Sequence, residues 1–401
     1  MGVISLGFPL YVKSLTTAER ADTVYTAVTA VSAAVVFVLS PVLGVLTDRS
    51  ARRMPFLVSA VAIVLAATLL FDRVAGLSGL VLSLAAFGLA NIAFQAQTQF
   101  YDSLLPAVST PTNRGRVSGL GVGVGFLGSY VAIGLSLALT HSAPSTFFTT
   151  IAILVALTCL PCFLFVSEPT NPLAQPITGR AVADSFRQAV SALRQLPRNR
   201  PLFHFLLARM LYSDAINTVI LVMALFVTNV AVARGATAEV GEGQAKLILF
   251  TSVTTAVLGG VFTGRLVDRA GPRRILLLVL SCWALALLLA ILVGLTSLPL
   301  WTMYLVGAVT GLAFGGVSTS DRPLLLELTP PDRIGEHYGL YGMVGRFAAI
   351  LGPALWAATT YAATEFLHLS PLSAQSLGLG VLLTLLLTGL VLLRTVATDS
   401  G

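Results

Sequence analysis

Charged and amide side chains are so rare in this sequence that each one inside an apolar run is a candidate for chemistry: only 10% of its 401 residues are Asp, Glu, Lys or Arg. A charge at the centre of a membrane span costs about 2.5–3.5 kcal/mol on insertion scales, so one that persists there carries a default expectation of function. Asp214 sits near the middle of the apolar run 202–227 and shares a helix face with Asn217 and Thr218, at i+3 and i+4. An acid so placed can carry a proton; its competing role is a structural hydrogen bond between helices. Arg209 and Arg346 lie at comparable depth in the runs 202–227 and 339–362. There a guanidinium can hold a substrate carboxylate with two parallel hydrogen bonds. Arg209 and Asp214 stand about 140° apart around a helix and should not pair, so Arg346 with Asp214 is the expected pair. Snorkelling to the inner membrane surface competes for both arginines.

Asn91, Gln95 and Gln99 recur at i, i+4 and i+8 in the run 77–104, with Asp102 three residues further on. A lipid-facing stripe of amides would leave donors unsatisfied, so this face should line a cavity or bond to another helix. Gly311, Gly315, Ser318 and Arg322 form a weaker counterpart in the run 298–321. Asp102 and Asp321 stand near the ends of their runs and read as gate groups before substrate ligands.

Two charged stretches resemble one another: GVLTDRSARR (Gly44, Asp48, Arg49, Arg52, Arg53) and GRLVDRAGPRR (Gly264, Asp268, Arg269, Arg273, Arg274). Each is expected as a cytoplasmic turn between spans, with glycine permitting the turn. Its Asp can meet a helix amino terminus or a neighbouring guanidinium, while the trailing arginines stay with the anionic inner leaflet. Such contacts can latch two halves together. The plainer reading makes them positive-inside anchors, which need arginine but not Asp at the same place twice.

Other motifs carry less. CLPC, with Cys159 and Cys162, lies in an apolar run without the cation that would stabilise a thiolate, so no metal or redox role is expected. GVGFLG matches a dinucleotide fingerprint but continues as an apolar span, where Gly121 and Gly125 would let helices approach closely. There is no Walker A sequence, HExxH or nucleophile elbow, so neither an enzyme nor a cofactor is expected.

The elements that must position these residues are membrane helices. The sequence is 56% hydrophobic with a mean hydropathy of +0.89, and apolar runs long enough to cross a ~30 Å core recur from end to end. After a short first span over residues 1–12, runs are expected near 24–46, 54–71, 77–104, 117–139 and 146–166. A second set follows near 202–227, 244–263, 275–294, 298–321, 339–362 and 375–393, making about twelve helices. Between the sets, Val182, Phe186, Val190 and Leu193 recur at helical spacing opposite Arg187 and Arg194, as in an amphipathic helix on the inner membrane surface. No signal peptide is expected at the start.

Of the 24 Lys and Arg, seventeen fall on the side that holds both termini if the amino terminus is cytoplasmic, and five on the other. This positive-inside bias makes both termini cytoplasmic, and it places the +7 net charge in short loops where it orients the chain rather than binding nucleic acid. The halves repeat. At offsets of 219 and 220, Gly44, Asp48 and Arg49 fall on Gly264, Asp268 and Arg269, and Asp102 and Arg114 fall on Asp321 and Arg333. An even number of spans per unit keeps both copies in the same topology. The expectation is an all-α integral membrane protein of two parallel-related six-helix bundles, residues 1–166 and 202–401, joined by a linker over 167–201.

GVLTDRSARR resembles the signature loop of the major facilitator superfamily, as does the repeated twelve-span plan. Phe100–Gly128 and Glu327–Pro353 are similar to the corresponding stretches of its vacuole-effluxer-like branch. That resemblance implies secondary transport by alternating access, amino acids as the leading solute, no covalent cofactor and a fold that can work as a monomer in the lipid bilayer; a bacterial member would lie in the inner membrane, and coupling to protons is an expectation that rests on Asp214 alone. Members of the branch carry a Tyr-Asp-Trp and Asn motif in the first span, which this chain lacks, while LYSDAINT puts Tyr212, Asp214 and Asn217 in the repeat-related place. Either the true start lies upstream or this copy has lost half of a polar pair. The latter would favour a sensor or scaffold of transporter fold, and an exporter of hydrophobic compounds is a further alternative.

Overall fold

The computed structural model describes residues 8, 12, 18–50, 52–71, 76–139, 143–168, 178–347 and 350–397. All regular elements among them are helices: α1 (Ala18–Ser50), α2 (Met54–Leu69), α3 (Gly76–Ser103), the single turn α4 (Leu105–Val108), α5 (Arg114–Ala138), α6 (Pro144–Phe165) and α7 (Gly179–Gln195). There follow α8 (Arg200–Ala233), α9 (Ala238–Ala270), α10 (Pro272–Leu295), α11 (Thr302–Glu327), α12 (Ile334–Phe347), α13 (Leu351–Glu365) and α14 (Pro371–Arg394). Among the described residues nine helical stretches are long and apolar enough to cross a membrane, α12 and α13 together forming one of them. Each of the eleven later runs read from the sequence coincides with a helix or, for 339–362, with the α12–α13 pair. The short first span falls, apart from Phe8 and Val12, outside the described residues.

Local chemistry sets many boundaries. Asn199 and Thr237 accept a hydrogen bond from the backbone N–H three residues on, capping α8 and α9, and Pro201 and Pro272 occupy first-turn positions where no N–H is needed. The sequence reading is corrected at Gly44 and Gly264, which lie inside α1 and α9 rather than in turns. The turn after α9 is made by Gly271, at φ 84°.

By compactness the chain forms two units that differ from its sequence halves. The first holds residues 1–108, 127–193 and 330–343; the second holds 109–126, 194–329 and 344–401. In the first, Phe8 stacks on Phe87 at 4.3 Å, and Phe71 meets Phe148 edge-on at 5.0 Å. In the second, α9 and α11 pack backbone to backbone: Gly259 lies against Leu312, Gly311 against Ser252, and Gly315 against Ala256 and Gly260. Such contact suits a membrane interior, where close van der Waals packing replaces the hydrophobic effect as the force between helices. Outward apolar side chains such as Leu164, Leu221 and Leu285 stay exposed, as a lipid-facing surface requires.

Candidate functional site

The two repeated charged stretches build the same local structure, once in each unit. In the first, the last turn of α1 presents Asp48 to the start of α12: Oδ1 accepts from Gly335 N at 2.7 Å and Oδ2 from Glu336 N at 2.7 Å. Arg53 Nη2 lies 3.3 Å from Oδ1. In the second, the last turn of α9 presents Asp268 to the start of α5: Oδ1 accepts from Gly115 N at 2.7 Å, Oδ2 from Arg116 N at 3.2 Å, and Arg116 Nε donates to Oδ2 at 3.1 Å. Each carboxylate thus meets both the exposed amides of a helix start and a guanidinium.

Glycine makes the approach possible. A Cβ on Gly44 would strike the Gly335 carbonyl, and one on Gly264 the Gly115 carbonyl. One turn further on, Gly339 packs on Ser40 and Gly119 on Gly260. On α5 the packing glycines are therefore Gly115, Gly119 and Gly123, the last against Val261, while a Cβ on Gly125 would meet open space. This corrects the sequence reading at Gly125: the contact stripe of Gly115, Gly119 and Gly123 lies on a neighbouring face of the same helix.

Other basic residues take separate places. Arg49 reaches α7, donating to Ala181 O at 3.3 Å and to Gln188 Oε1 at 3.4 Å, and lies 3.9 Å from Asp184. Gln188 in turn donates to Glu336 Oε2 at 3.3 Å, so α7 sits over the first cap. Arg273 donates to the Arg394 carbonyl at the end of α14. Arg333 lies 4.0 Å from Glu336, and Arg114 faces Glu327. Arg52, Arg269 and Arg274 are exposed. Sequence reasoning missed Glu168, whose carboxylate accepts from Arg53 N and Met54 N at 2.7–2.8 Å and so holds the start of α2. Its only signal was an acid directly after an apolar run.

A buried polar cluster lies within the second unit. Asp321, 3% exposed, accepts from Tyr212 OH at 2.6 Å and from Arg209 Nε at 3.2 Å. Asp321 read as a gate group thus shares one network with two residues read as substrate candidates. Arg346 sits close enough to Arg209 for the two charges to repel, and Gly345 packs on the Arg209 guanidinium. The expected Arg346–Asp214 pair is not formed. Asp214 is 1% exposed, and neither carboxylate oxygen has a hydrogen-bond partner among the described residues. The reason is its direction: the carboxylate packs on Gly352 at the start of α13, beside Thr218, which bonds to the Asp214 carbonyl. Asn217 is exposed and Ser318 half-buried.

The α3 stripe divides. Gln99 is tied to α1, accepting from Ser40 Oγ at 2.5 Å and donating to Ser40 O at 2.9 Å, so helix bonding takes it. Gln95 donates to Asn91 Oδ1 at 3.4 Å along the helix. Asn91 and Asp102 are buried.

A family model described as "Vacuole effluxer Atg22 like" matches residues 10–401. The chain is 25% identical to the uncharacterized MFS-type transporter YxiO of Bacillus subtilis strain 168, over 88% of this chain and 82% of that one. It is 26% identical to autophagy-related protein 22-2 of Aspergillus clavatus, over 60% of this chain and 42% of the fungal one. Among solved structures, a bacterial homologue of the iron transporter ferroportin superposes with a TM-score of 0.71 at 15% identity, covering 98% of this chain and 94% of that one. The proton:xylose symporter XylE superposes at 0.69 with 14% identity, covering 99% and 92%. These structural likenesses show the fold, that of the major facilitator superfamily. With the family match spanning nearly its whole length, the chain belongs to the Atg22-like vacuole effluxer family and is a multi-pass membrane transporter of the major facilitator type.

Proposed function

We propose that the chain is a secondary transporter that moves a small solute by alternating access, with the Asp48 and Asp268 caps as its cytoplasmic latches. The observation that supports this is that one carboxylate-to-helix-start contact is built twice, each time joining an element of one sequence half to an element of the other. Such contacts are short, charged and few. They can break together at a cost that a solute or an ion gradient can meet.

Amino acids are the leading solute by family resemblance, and Asp214 is the proton carrier. Both termini face the cytoplasm, from the distribution of arginine. The test is uptake of a labelled amino-acid mixture into proteoliposomes, with and without an imposed pH gradient, by the wild type and by Asp214→Asn. Gradient-dependent uptake that the Asn variant loses supports a proton-coupled amino-acid carrier. Uptake that ignores the gradient removes the proton, and no uptake by correctly inserted protein removes amino acids.

A further inference from the structure

The linking helix α7 (Gly179–Gln195) turns one face to protein and leaves two others open. Ser185 and Ala189 are buried, Ala189 against Val42, Val45 and Leu46 of α1. Those three lie in the apolar stretch Val24–Ser50, which is long enough to cross a membrane, and roughly 6–12 Å of helix from its end. That is the depth at which a span passes from hydrocarbon to headgroups. Arg49 ties α7 there, donating to Ala181 O at 3.3 Å and to Gln188 Oε1 at 3.4 Å.

At about 100° per residue, Val182 and Phe186 stand roughly a quarter-turn round from the buried face, and Arg187 and Arg194 a quarter-turn beyond them. Val182 is 44% and Phe186 50% exposed, with Val190 and Leu193 half-buried on the same flank. Arg194 is exposed, and the Arg187 side chain is 82% exposed. Three arginines against one acid, Asp184, leave the helix cationic. Asp184 lies 3.4 Å from Arg187 and 3.9 Å from Arg49, but pairs as open to solvent as these contribute little. An apolar flank bordered by arginines, at headgroup depth, is the pattern of a helix that lies in a membrane surface: its apolar side chains enter the acyl boundary and its cations stay with the phosphates. The sign of the charge fits an anionic leaflet.

We propose that α7 docks through Val182, Phe186, Arg187 and Arg194 on the anionic phospholipid headgroups beside the first cap, and that this docking braces the cap. The brace follows from the bonds α7 makes: Gln188 donates to Glu336 Oε2 at 3.3 Å, and Arg49 is held by Ala181 O, so a helix pinned to the membrane keeps both in place. The lipid around the chain thereby sets how readily the first cap opens. The proposal rests on the transport reading only in calling that cap a latch, because docking and cap opening are both measured without solute or gradient.

The experiment uses the full chain with Cys159, Cys162 and Cys282 replaced by Ala, in nanodiscs of phosphatidylcholine alone or mixed equally with phosphatidylglycerol. In the anionic bilayer a nitroxide on Phe186→Cys should collide more with oxygen, which concentrates in lipid, than with a water-soluble nickel chelate. One on Gln195→Cys, about half a turn round the helix, should favour the chelate. Cap opening is read by N-ethylmaleimide labelling of Thr47→Cys, a position 1% exposed. In the anionic bilayer, adding Arg187→Gln with Arg194→Gln should speed labelling about tenfold, within the roughly 25-fold that two arginines at about fivefold each allow. In phosphatidylcholine the two chains should label alike. Arg187→Lys with Arg194→Lys should label as slowly as the arginines do, and salt at about 1 M, which shortens the screening length to about 3 Å, should close the gap. The proposal is overturned if the Phe186→Cys nitroxide favours the chelate in both bilayers, or if the Gln variant labels no faster in the anionic one. Faster labelling by the same factor in both bilayers overturns it as well, since the arginines then brace the cap through protein contacts. So does a nitroxide shielded from both collision partners, because another protein chain then covers the flank. A chain that passes these tests yet moves no solute would sink the transport reading and leave the docking standing.

Discussion

Replacing Asp48 with Asn keeps the shape of the first cap and removes its charge. The carboxylate accepts from two backbone amides at 2.7 Å and neighbours Arg53 at 3.3 Å. An amide offers one acceptor in the same place and turns its NH2 against a backbone N–H. At about 1.5–3 kcal/mol for each hydrogen bond to a charged group, and allowing for re-solvation of the freed amides, the net loss is about 3 kcal/mol, or roughly 150-fold in population. The first reporter is Thr47→Cys, a position 1% exposed beneath the cap, in a chain with Cys159, Cys162 and Cys282 replaced by Ala. Its repeat-related partner is Val267→Cys, at a site 4% exposed beneath the second cap. Maleimide labelling of the Thr47→Cys reporter should speed up about a hundredfold when Asp48→Asn is added. If the caps are two parts of one gate, labelling of the Val267→Cys reporter should speed up as well, and Asp268→Asn should act on both reporters in return. A reporter that answers only its own cap would show two independent helix caps and refute the latch. Unchanged labelling of the first reporter in folded Asp48→Asn would refute the energetic reasoning itself.

Three further perturbations test the packing and polar contacts. Gly311→Ala would drive a Cβ into the Ser252 carbonyl and the Thr255 hydroxyl and should lower the thermal midpoint at a cost of about 1–3 kcal/mol, whereas Gly125→Ala, with nothing within 4 Å, should leave it level or raise it slightly. Tyr212→Phe removes the 2.6 Å bond to buried Asp321 and should cost about 1.5–3 kcal/mol; adding Asp321→Asn should recover part of that, which a double-mutant cycle in urea would measure. Glu168→Ala unties the amides of Arg53 and Met54 at the start of α2, a loss of about 1–2 kcal/mol, so trypsin should cut after Arg52 or Arg53 about tenfold faster in unsealed vesicles.

The helices were legible because hydropathy and length decide them, and the repeat was legible because Asp and Arg are too scarce to coincide by chance. Pairing was legible only where one helix decides it. That Arg209 avoids Asp214 follows from helix geometry, and the structure agrees. That Arg209 takes Asp321, 112 residues away, depends on how α8 and α11 lie together, which no local pattern records. Gly44 and Gly264 show the same limit. Their type announced an unusual backbone requirement, but the requirement is the closeness of another helix rather than a turn, and the two look identical in one dimension. Asp214 was found by its cost in a membrane, while Gly352, on which its carboxylate packs, has no side chain to announce itself.

The two caps differ in a way that bears on how they would release. In the second, the capped helix brings its own cation, since Arg116 donates both its backbone N–H and its guanidinium to Asp268. In the first, the corresponding residue is an acid, Glu336, placed beside the carboxylate it is meant to hold. Two carboxylates so close repel unless cations and donors stand around them, and the first cap supplies these: Arg53 on Asp48, Arg333 near Glu336, and Gln188 of α7 on Glu336. Arg49 binds α7 from the same turn of α1 that carries Asp48. The first cap is thus held through a third element, the helix that links the two halves of the sequence, whereas at the second the start of α5 is held from α11, with Arg114 facing Glu327 and Ser118 Oγ donating to Thr319 O at 3.0 Å. Removing Gln188 should therefore loosen the first cap and leave the second as it was. That asymmetry lies in the linker, the one segment the repeat does not copy.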